Sequence, residues 1–184
     1  MLRYLTAGES HGKALVAILD GCPANLPLSA SDIDKDLSRR QEGYGRGPRM
    51  KEIEKDQAQI LSGVRKGKTI GSPISLLIPN RSTELFEKVV TEPRPGHADL
   101  AGILKYNQED VRNILERASA RETAAKVALG AVAKKLLGQF KIHIKSRVVQ
   151  IGGAKSKSEW HKLIDRAKSQ GETLGGVIEI VALG

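Results

Sequence analysis

A long run of small residues in the second half of the chain restricts the possible folds more than any other feature. Helix propensity is high from about Gln108 to Leu137, with Gly130 as the exception. In the later part of this region the small residues at helical spacing are Ala118, Ala120, Ala124, Ala125, Ala128, Gly130, Ala131 and Ala133. Because residues three and four apart share one face of a helix, these side chains allow a close approach by neighbouring backbone. We therefore predict one helical region that packs tightly.

The remaining segments alternate between strand and helix patterns. The apolar run at 15–19 predicts a buried strand. A helix capped by Ser29 or Ser31 follows it and is expected to end near Arg40. The runs 59–64 and 74–78 predict the two strands of a hairpin.

The last third of the chain continues this mixture. Clean alternation at 141–145 predicts a half-buried strand with its isoleucines facing inward. A short helix is predicted over 158–168 and a strand over 175–184. Together these patterns predict an α/β (or α+β) fold in layers.

The composition excludes several classes of protein. The chain has 184 residues, which fits one domain on a prior of about 150 residues each. A single cysteine excludes an intrachain disulfide framework and paired-cysteine metal sites, and it is typical of a cytoplasmic location. No apolar run approaches the about 18 residues of a membrane span, so no membrane partner is expected.

The net charge of +9 indicates an anionic partner. Nucleic acid is one class of such partners. Aromatic residues make up only 3% of the chain, however, which disfavours binding of single strands by base stacking. Polyanionic metabolites are the other class, and the composition alone does not choose between the two.

A basic, glycine-rich segment at 39–51 is the strongest local feature. It contains four arginines, one lysine and one glutamate, which gives a local charge of +4. Arginine forms paired hydrogen bonds to a carboxylate or phosphate, and the three glycines let the backbone approach a ligand closely. With Pro48 they favour a shaped loop that binds a small polyanion. The alternative is an ordinary solvated basic loop.

Two of the four histidines are candidates for acid–base chemistry. His11 lies in a glycine-flanked turn between two predicted strands. His97 ends a long irregular stretch, where Asp99 could orient its ring. Either residue could instead be a surface histidine. We interpret His143 and His161 as structural, and because no histidine pair has zinc-binding spacing, no metal site is expected.

The segment 116–123 predicts the start of a helix. Backbone N–H groups and a hydroxyl at such a start can hold phosphate. The alternative is an ordinary capping box with Ser119 as the N-cap and Glu122 as the N3 residue. Since the chain has neither a P-loop motif nor a Rossmann glycine motif, nucleoside triphosphate and dinucleotide functions have no support.

Taken in order, five of these segments closely resemble the chorismate synthase family. The matching segments are Gly8-Glu9-Ser10-His11-Gly12 with the run to 23, 39–50, 61–64, 94–99 and 116–131. The resemblance implies a layered β-α-β sandwich and a carbon–oxygen lyase of the shikimate pathway of aromatic amino acid biosynthesis. Members convert 5-enolpyruvylshikimate 3-phosphate to chorismate by a 1,4-anti elimination of phosphate that requires reduced FMN.

The resemblance also implies roles for individual residues. His11 matches the acid near the leaving phosphate, and His97 matches the histidine that protonates reduced flavin. The arginines expected to hold the anionic groups of the substrate are Arg40, Arg46, Arg49, Arg94 and Arg121. The residues that match the stretch contacting FMN and substrate are Arg117, Ala118 and Ser119, with alanine where many members have serine. In members with their own flavin reductase activity, the positions of Arg40 and Arg46 are associated with NADP, and NADPH is then the reductant.

Members of the family are about twice as long as this chain. The resemblance therefore implies that residues 1–184 are the N-terminal part of a single chorismate synthase domain whose C-terminal half is absent. We expect a cytoplasmic homotetramer for the full-length protein, and little or no activity from the 184 residues alone. The alternatives are a non-catalytic basic domain that binds nucleic acid or an acidic partner, and an inactive remnant.

Overall fold

A four-stranded antiparallel sheet forms the centre of the fold. The computed structural model describes residues 1–47 and 49–184. The strands of the sheet are β1 (Arg3–Gly8), β2 (Ala14–Asp20), β3 (Gln59–Ser62) and β6 (Ile74–Pro79). Their order is β1-β2-β6-β3. Alternate residues of β2 and β6, among them Leu15, Leu19 and Leu76, are buried on one face, and the predicted strand–turn–strand beginning of the chain is confirmed.

The hairpin predicted from the runs 59–64 and 74–78 is confirmed, and it carries a small ribbon at its tip. β3 pairs with β6 in antiparallel register. The ribbon consists of β4 (Val64–Arg65) and β5 (Lys68–Thr69). Lys66 and Gly67 form its turn with φ of 50° and 73°, because a two-residue turn between twisted antiparallel strands favours positive φ.

Helix α4 (Thr123–Gln139) covers the buried face of the sheet, and α1 (Ala30–Gln41) packs against α4. α4 packs against both β2 and α1. Ala124, Ala125 and Ala128 are fully buried there, and larger side chains would hold the helix away from the sheet. The tight packing predicted from the small residues is confirmed.

Helix α1 begins and ends close to the predicted positions. Ser29 is its N-cap, and the Ser29 backbone N–H donates to Oδ2 of Asp32 at 3.0 Å. The apolar side of the helix buries Ile33 and Leu37 completely. Its last residue is Gln41, so the basic segment begins inside the helix and leaves it at the glycines.

The helical region predicted from about Gln108 to Leu137 is confirmed, and it is divided into α3 (Arg112–Ala118), a 3-10 turn (Ala120–Glu122) and α4. Another helix, α2 (Asp99–Tyr106), precedes it. Ser119 has extended backbone angles (φ −61°, ψ 142°) and separates α3 from the 3-10 turn. No sequence pattern predicts α2, which directly follows the long irregular stretch.

A two-stranded antiparallel ribbon lies in the last third of the chain. It consists of β7 (His143–Ile151) and β8 (Gly176–Leu183), with α5 (Lys157–Gln170) between them in sequence. Ile142 and Ile144 are half-buried and the lysines beside them are exposed, so the predicted alternation is confirmed. α4 contacts β7 as well as β2, and the fold belongs to the predicted α/β (α+β) class. Among the described helices, none has the length and apolar character needed to cross a membrane.

Candidate functional site

His11 lies in the turn that joins β1 to β2, and glycine shapes this turn. Gly8 has φ of 95°, and a Cβ there would lie 2.2 Å from the carbonyl oxygen of Ala14. The backbone N–H of Ser10 donates to the carbonyl of Glu116 at 3.0 Å. The turn is therefore held against the end of α3, and the His11 side chain is only 13% exposed.

Both ring nitrogens of His11 have a charged neighbour. Nδ1 lies 2.8 Å from Oε1 of Glu116, and Nε2 lies 2.8 Å from Nη1 of Arg49. Glu116 also accepts a hydrogen bond from the backbone N–H of His11 through Oε2. The ring is thus held between a carboxylate and a guanidinium.

Arg49 is oriented by Glu54, its neighbour at the end of the π-helical turn Arg49–Ile53. Nη2 of Arg49 donates to Oε1 of Glu54 at 2.9 Å, and Nη1 donates to Oγ of Ser10 at 3.0 Å. Burial alone would raise the pKa of Glu54. Hydrogen bonds from the Arg81 backbone and from Arg49 outweigh burial and leave that pKa below its ordinary value, so Glu54 is an anion at neutral pH.

Arg40 and Arg121 share one buried carboxylate, that of Asp56. Nη1 of Arg121 donates to Oδ1 of Asp56, and Nη1 of Arg40 lies 3.4 Å from Oδ2. Arg40 also donates to the Ala120 carbonyl at 3.0 Å, and Arg121 donates to Oδ1 of Asn80 at 3.0 Å. Burial lowers the pKa of the Arg40 guanidinium, and the charge of Asp56 opposes that shift.

One nitrogen of this buried cluster is not satisfied. Nη2 of Arg121 is buried and has no hydrogen-bond partner among the described residues, although it forms an ion pair with Oε2 of Glu54 at 3.6 Å. Arg121 lines a cavity of about 220 Å³ that we call the inner pocket. Its lining residues are Gly47, Arg49, Met50, Glu54, Ser119, Ala120 and Arg121. A buried guanidinium nitrogen without a partner is costly, so the inner pocket is suited to an anionic group.

The other predicted arginines and His97 lie on loops, where their contacts are local. Nε of Arg46 donates to the Glu42 carbonyl at 3.1 Å, and the residue is exposed. Arg94 forms a two-pronged pair with Asp99 at 2.8 and 3.0 Å, which lowers the pKa of that carboxyl to about 2. Neither arginine is among the residues that line the inner pocket.

The expectation that Asp99 orients His97 is wrong, because Arg94 takes both oxygens of this carboxylate. Nδ1 of His97 instead lies 3.0 Å from the Pro95 carbonyl, and the ring is exposed. Pro48, on which the interpretation of 39–51 as a shaped loop partly rests, lies outside the described residues.

The predicted cofactor-binding residues line two different cavities. Arg117 and Ala118 border a cavity of about 560 Å³ beside α2 and α3, which we call the outer cavity. Its other lining residues are Ala98, Ala101, Gly102, Lys105, Tyr106, Gln108, Asn113 and Ile114. The Arg117 guanidinium reaches the Thr6 carbonyl at 2.9 Å and thereby ties α3 to β1.

Ser119 lines the inner pocket, and its hydroxyl accepts a hydrogen bond from the Arg121 backbone N–H at 3.3 Å. The alternative of a capping box is confirmed in its first half, because Ser119 is the N-cap of the 3-10 turn. Its second half is wrong, since the Glu122 carboxylate accepts a hydrogen bond from the Thr6 hydroxyl at 2.8 Å.

Sequence reasoning missed the carboxylates that organise the site, Glu54, Asp56 and Glu116. All three are at most 5% exposed. Glu54 and Asp56 come shortly after the basic segment 39–51, and this proximity in sequence could have indicated that they pair with its arginines. Glu116 stands one turn after Arg112, with which it pairs at 3.2 Å, and this spacing is also visible in the sequence. Among the described residues, no group of three or more His, Cys, Asp or Glu could hold a metal ion.

Comparison with known proteins gives a consistent result. The family model described as chorismate synthase matches residues 2–184. The chain is 61% identical to the chorismate synthase of Caldanaerobacter subterraneus subsp. tengcongensis, over 100% of this chain and 53% of that protein. It is 52% identical to the chorismate synthase of Aquifex aeolicus, over 99% of this chain and 57% of that protein.

A solved structure gives the same result. A crystal structure of a chorismate synthase superimposes with a TM-score of 0.81 at 47% identity, covering 99% of this chain and 57% of that one. The chain therefore spans about half the length of the relatives that it matches.

Proposed function

This chain belongs to the chorismate synthase family, and we propose that it provides the anion-binding and proton-donating part of a site that converts 5-enolpyruvylshikimate 3-phosphate to chorismate. In this reaction the bond between carbon and the phosphate oxygen breaks and a C6 proton is lost, so the enzyme is a carbon–oxygen lyase. The observation that carries the proposal is that Arg121 lines the inner pocket while its buried Nη2 has no hydrogen-bond partner among the described residues.

The inner pocket supplies cations where a leaving phosphate gains charge. Arg49 and Arg121 both line it, and a guanidinium is well suited to paired hydrogen bonds with phosphate. Asp56 and Glu54 fix the two guanidinium groups before a ligand arrives. Oriented charges that need no rearrangement stabilise developing charge most strongly. Arg40 acts through Asp56, and Arg46 and Arg94 are proposed to meet the outer anionic groups of the substrate.

His11 is proposed as the acid that gives a proton to the leaving phosphate. Its Nε2 lies 2.8 Å from Arg49, so an anion bound by Arg49 is next to this ring. Protonation by a positioned histidine contributes about 10²- to 10⁴-fold to a rate. The low exposure of His11 supports this role, because a dry site favours such a transfer.

The outer cavity fits FMN in its chemistry. Its lining combines apolar side chains for a flat ring with two cations, Lys105 and Arg117, for a phosphate. Reduced FMN, when bound, supplies electron density for breaking the carbon–oxygen bond and assists removal of the C6 proton. Arg117, Ala118 and Ser119 are proposed to hold the cofactor and the adjacent substrate. His97 is proposed to hold a proton close to the flavin.

The remaining proposals concern the complete protein. It acts as a cytoplasmic homotetramer in aromatic amino acid biosynthesis, with NADPH as the reductant where the protein reduces its own flavin. The 184 residues alone have little or no activity, because about half of the family's length, with further FMN contacts, is absent from them. A normal turnover number for the 184-residue chain would contradict this.

The experiment measures phosphate release from 5-enolpyruvylshikimate 3-phosphate by a full-length version with reduced FMN. We expect release in the wild type and, for His11→Ala, a turnover lower by about 10²-fold or more with a smaller change in substrate affinity. His143→Ala, an exposed histidine on β7, serves as the matched control and should keep wild-type turnover. No phosphate release by the wild type would refute the proposed function. Wild-type turnover in both His11→Ala and His97→Ala would refute the catalytic assignment.

A further inference from the structure

Glu116 is the most deeply buried charged group next to His11. Its side chain is only 1% exposed. Three groups donate to its two oxygens: Oε2 accepts the backbone N–H of His11, and Oε1 accepts from the His11 ring at 2.8 Å and from Arg112 at 3.2 Å. A buried carboxylate is tolerated when its charge is paired and its lone pairs are used, and here two of the three hydrogen bonds come from His11.

These contacts decide which ring nitrogen of His11 carries the proton. A carboxylate anion only accepts hydrogen bonds, so Nδ1, which lies 2.8 Å from Glu116, must be the donor. On the other side, Nε2 lies 2.8 Å from Nη1 of Arg49. A guanidinium only donates hydrogen bonds, so Nε2 must be the acceptor. Both neighbours are therefore compatible with only one neutral tautomer, the one that carries its proton on Nδ1.

We propose that Glu116 is a positioning residue that locks His11 in the tautomer with the proton on Nδ1. Nε2, on the side of Arg49, is then the ring atom that first takes up a proton from solvent and afterwards gives it to the leaving phosphate. This inference deepens the proposed function and rests on it for its chemical purpose. The tautomer itself follows from the contacts alone.

The carboxylate cannot be replaced by an amide without loss. Glutamine has one oxygen and one NH₂ group at its end. If its oxygen accepts from Nδ1, its NH₂ group faces the backbone N–H of His11, which is also a donor. If the amide is turned around, the NH₂ group faces Nδ1 and favours the opposite tautomer. Glu116→Gln is therefore a sharp test with almost no change in volume.

The test is nitrogen NMR of the histidine rings in the 184-residue chain, at about pH 8.5, where an ordinary histidine is neutral. His11→Ala identifies the His11 signals by their loss. In the wild type we expect Nδ1 at the shift of a protonated nitrogen and Nε2 at that of an unprotonated one. In Glu116→Gln we expect the His11 signals to move toward the mixture of tautomers found in free histidine.

Asp36→Asn is the matched control. Asp36 is another buried carboxylate, 9% exposed and paired with Lys134 at 2.7 Å, and its substitution should leave the His11 signals unchanged. A proton on Nε2 in the wild type would overturn the inference, and this measurement remains valid even if Glu116→Gln fails to fold. A folded Glu116→Gln with wild-type ring signals would also overturn it.

A kinetic readout separates positioning from folding in a full-length version. Glu116→Gln should lower turnover by about 10²-fold with KM changed by less than about threefold, and Asp36→Asn should change neither. Equal turnover for Glu116→Gln and the wild type would contradict the role. Absence of phosphate release from the wild type itself would refute the proposed function and leave the tautomer result standing, so the two failures are distinguishable.

Discussion

The arginines of this protein occur in two settings that differ in how they are held. Around the inner pocket, Arg40, Arg49 and Arg121 are fixed by carboxylates that are almost completely buried, Glu54 and Asp56. On the surface loops, Arg46 and Arg94 contact groups that are close in sequence. Both sets lie in the segments that match the family, but only in the first set does each arginine also have a partner at least 16 residues away in the sequence.

This difference shows what a buried ion-pair cluster achieves. Burying several charges costs free energy, and the pairs in such a cluster often contribute little net stability. The buried carboxylates instead fix the direction of each guanidinium, which leaves Nη2 of Arg121 without a hydrogen-bond partner among the described residues. The inner pocket is therefore organised before a ligand arrives, whereas the exposed Arg46 has a single local hydrogen bond.

Removing the shared carboxylate should have the largest effect. In Asp56→Ala, two buried guanidinium groups lose their common partner, and we expect the free energy of unfolding to fall by about 3–5 kcal/mol. Urea unfolding of the 184-residue chain measures this loss. Glu179→Ala breaks the exposed pair with Arg147 and should cost less than about 1 kcal/mol. Equal losses in the two variants would remove the distinction between buried and exposed charges.

An intermediate effect is expected at Asp99, the first residue of α2. Asp99 binds Arg94 and has a pKa of about 2, below the ordinary value of about 3.9. The folded state gains from this carboxylate above about pH 4 and loses the gain as the pH falls toward 2. Asp99→Asn should therefore lower the free energy of unfolding at pH 7 by about 2 kcal/mol and flatten its decline in acid.

Urea midpoints at about pH 7 and about pH 3 measure both parts of this prediction. Glu42→Gln, on the exposed loop before Arg46, is the control and should keep the wild-type pH dependence. If Asp99→Asn loses stability in acid as steeply as the wild type, the pair with Arg94 does not have the assigned strength.

The smallest effect is expected where the glycine-rich loop meets α5. The Tyr44 hydroxyl donates to Asp165 at 2.6 Å, and its ring stacks on His161 with 3.9 Å between centroids. All three residues are exposed, so Tyr44→Phe, which keeps the stacking, should lower the free energy of unfolding by less than about 1 kcal/mol. Thermal unfolding measures this. A loss of unfolding free energy as large as that expected for Asp56→Ala would contradict this ranking, because the exposed loop would then contribute as much stability as the buried ion pairs.

Much of the fold is predictable because it depends on local periodicity. The alternation at 141–145 and the apolar runs of the hairpin require no knowledge of distant residues. The break at Ser119 is not predictable in this way, since good helix formers lie on both sides of it. It depends on the contacts of the 3-10 turn, where Arg121 reaches Asp56 and Asn80.

The candidate site is likewise predictable from the sequence only in part. The basic segment is visible because its arginines are close together in the sequence. Their partners are not, because Arg121 and Asp56 are 65 residues apart and His11 and Glu116 are 105 apart. Sequence patterns therefore identify the groups proposed to meet a ligand, and the structure is needed to find the carboxylates that hold them.

The central claim is that the inner pocket is an anion site and that Arg121, whose Nη2 has no hydrogen-bond partner among the described residues, is its main cation. Calorimetric titration of the 184-residue chain with 5-enolpyruvylshikimate 3-phosphate tests it most directly, with Arg121→Met and Arg46→Met as the matched pair. Arg121→Met should weaken binding by about tenfold or more, because a buried charged hydrogen bond is lost. Arg46→Met should weaken it by less than about threefold. Wild-type affinity in Arg121→Met, or a greater loss in Arg46→Met, would contradict the claim.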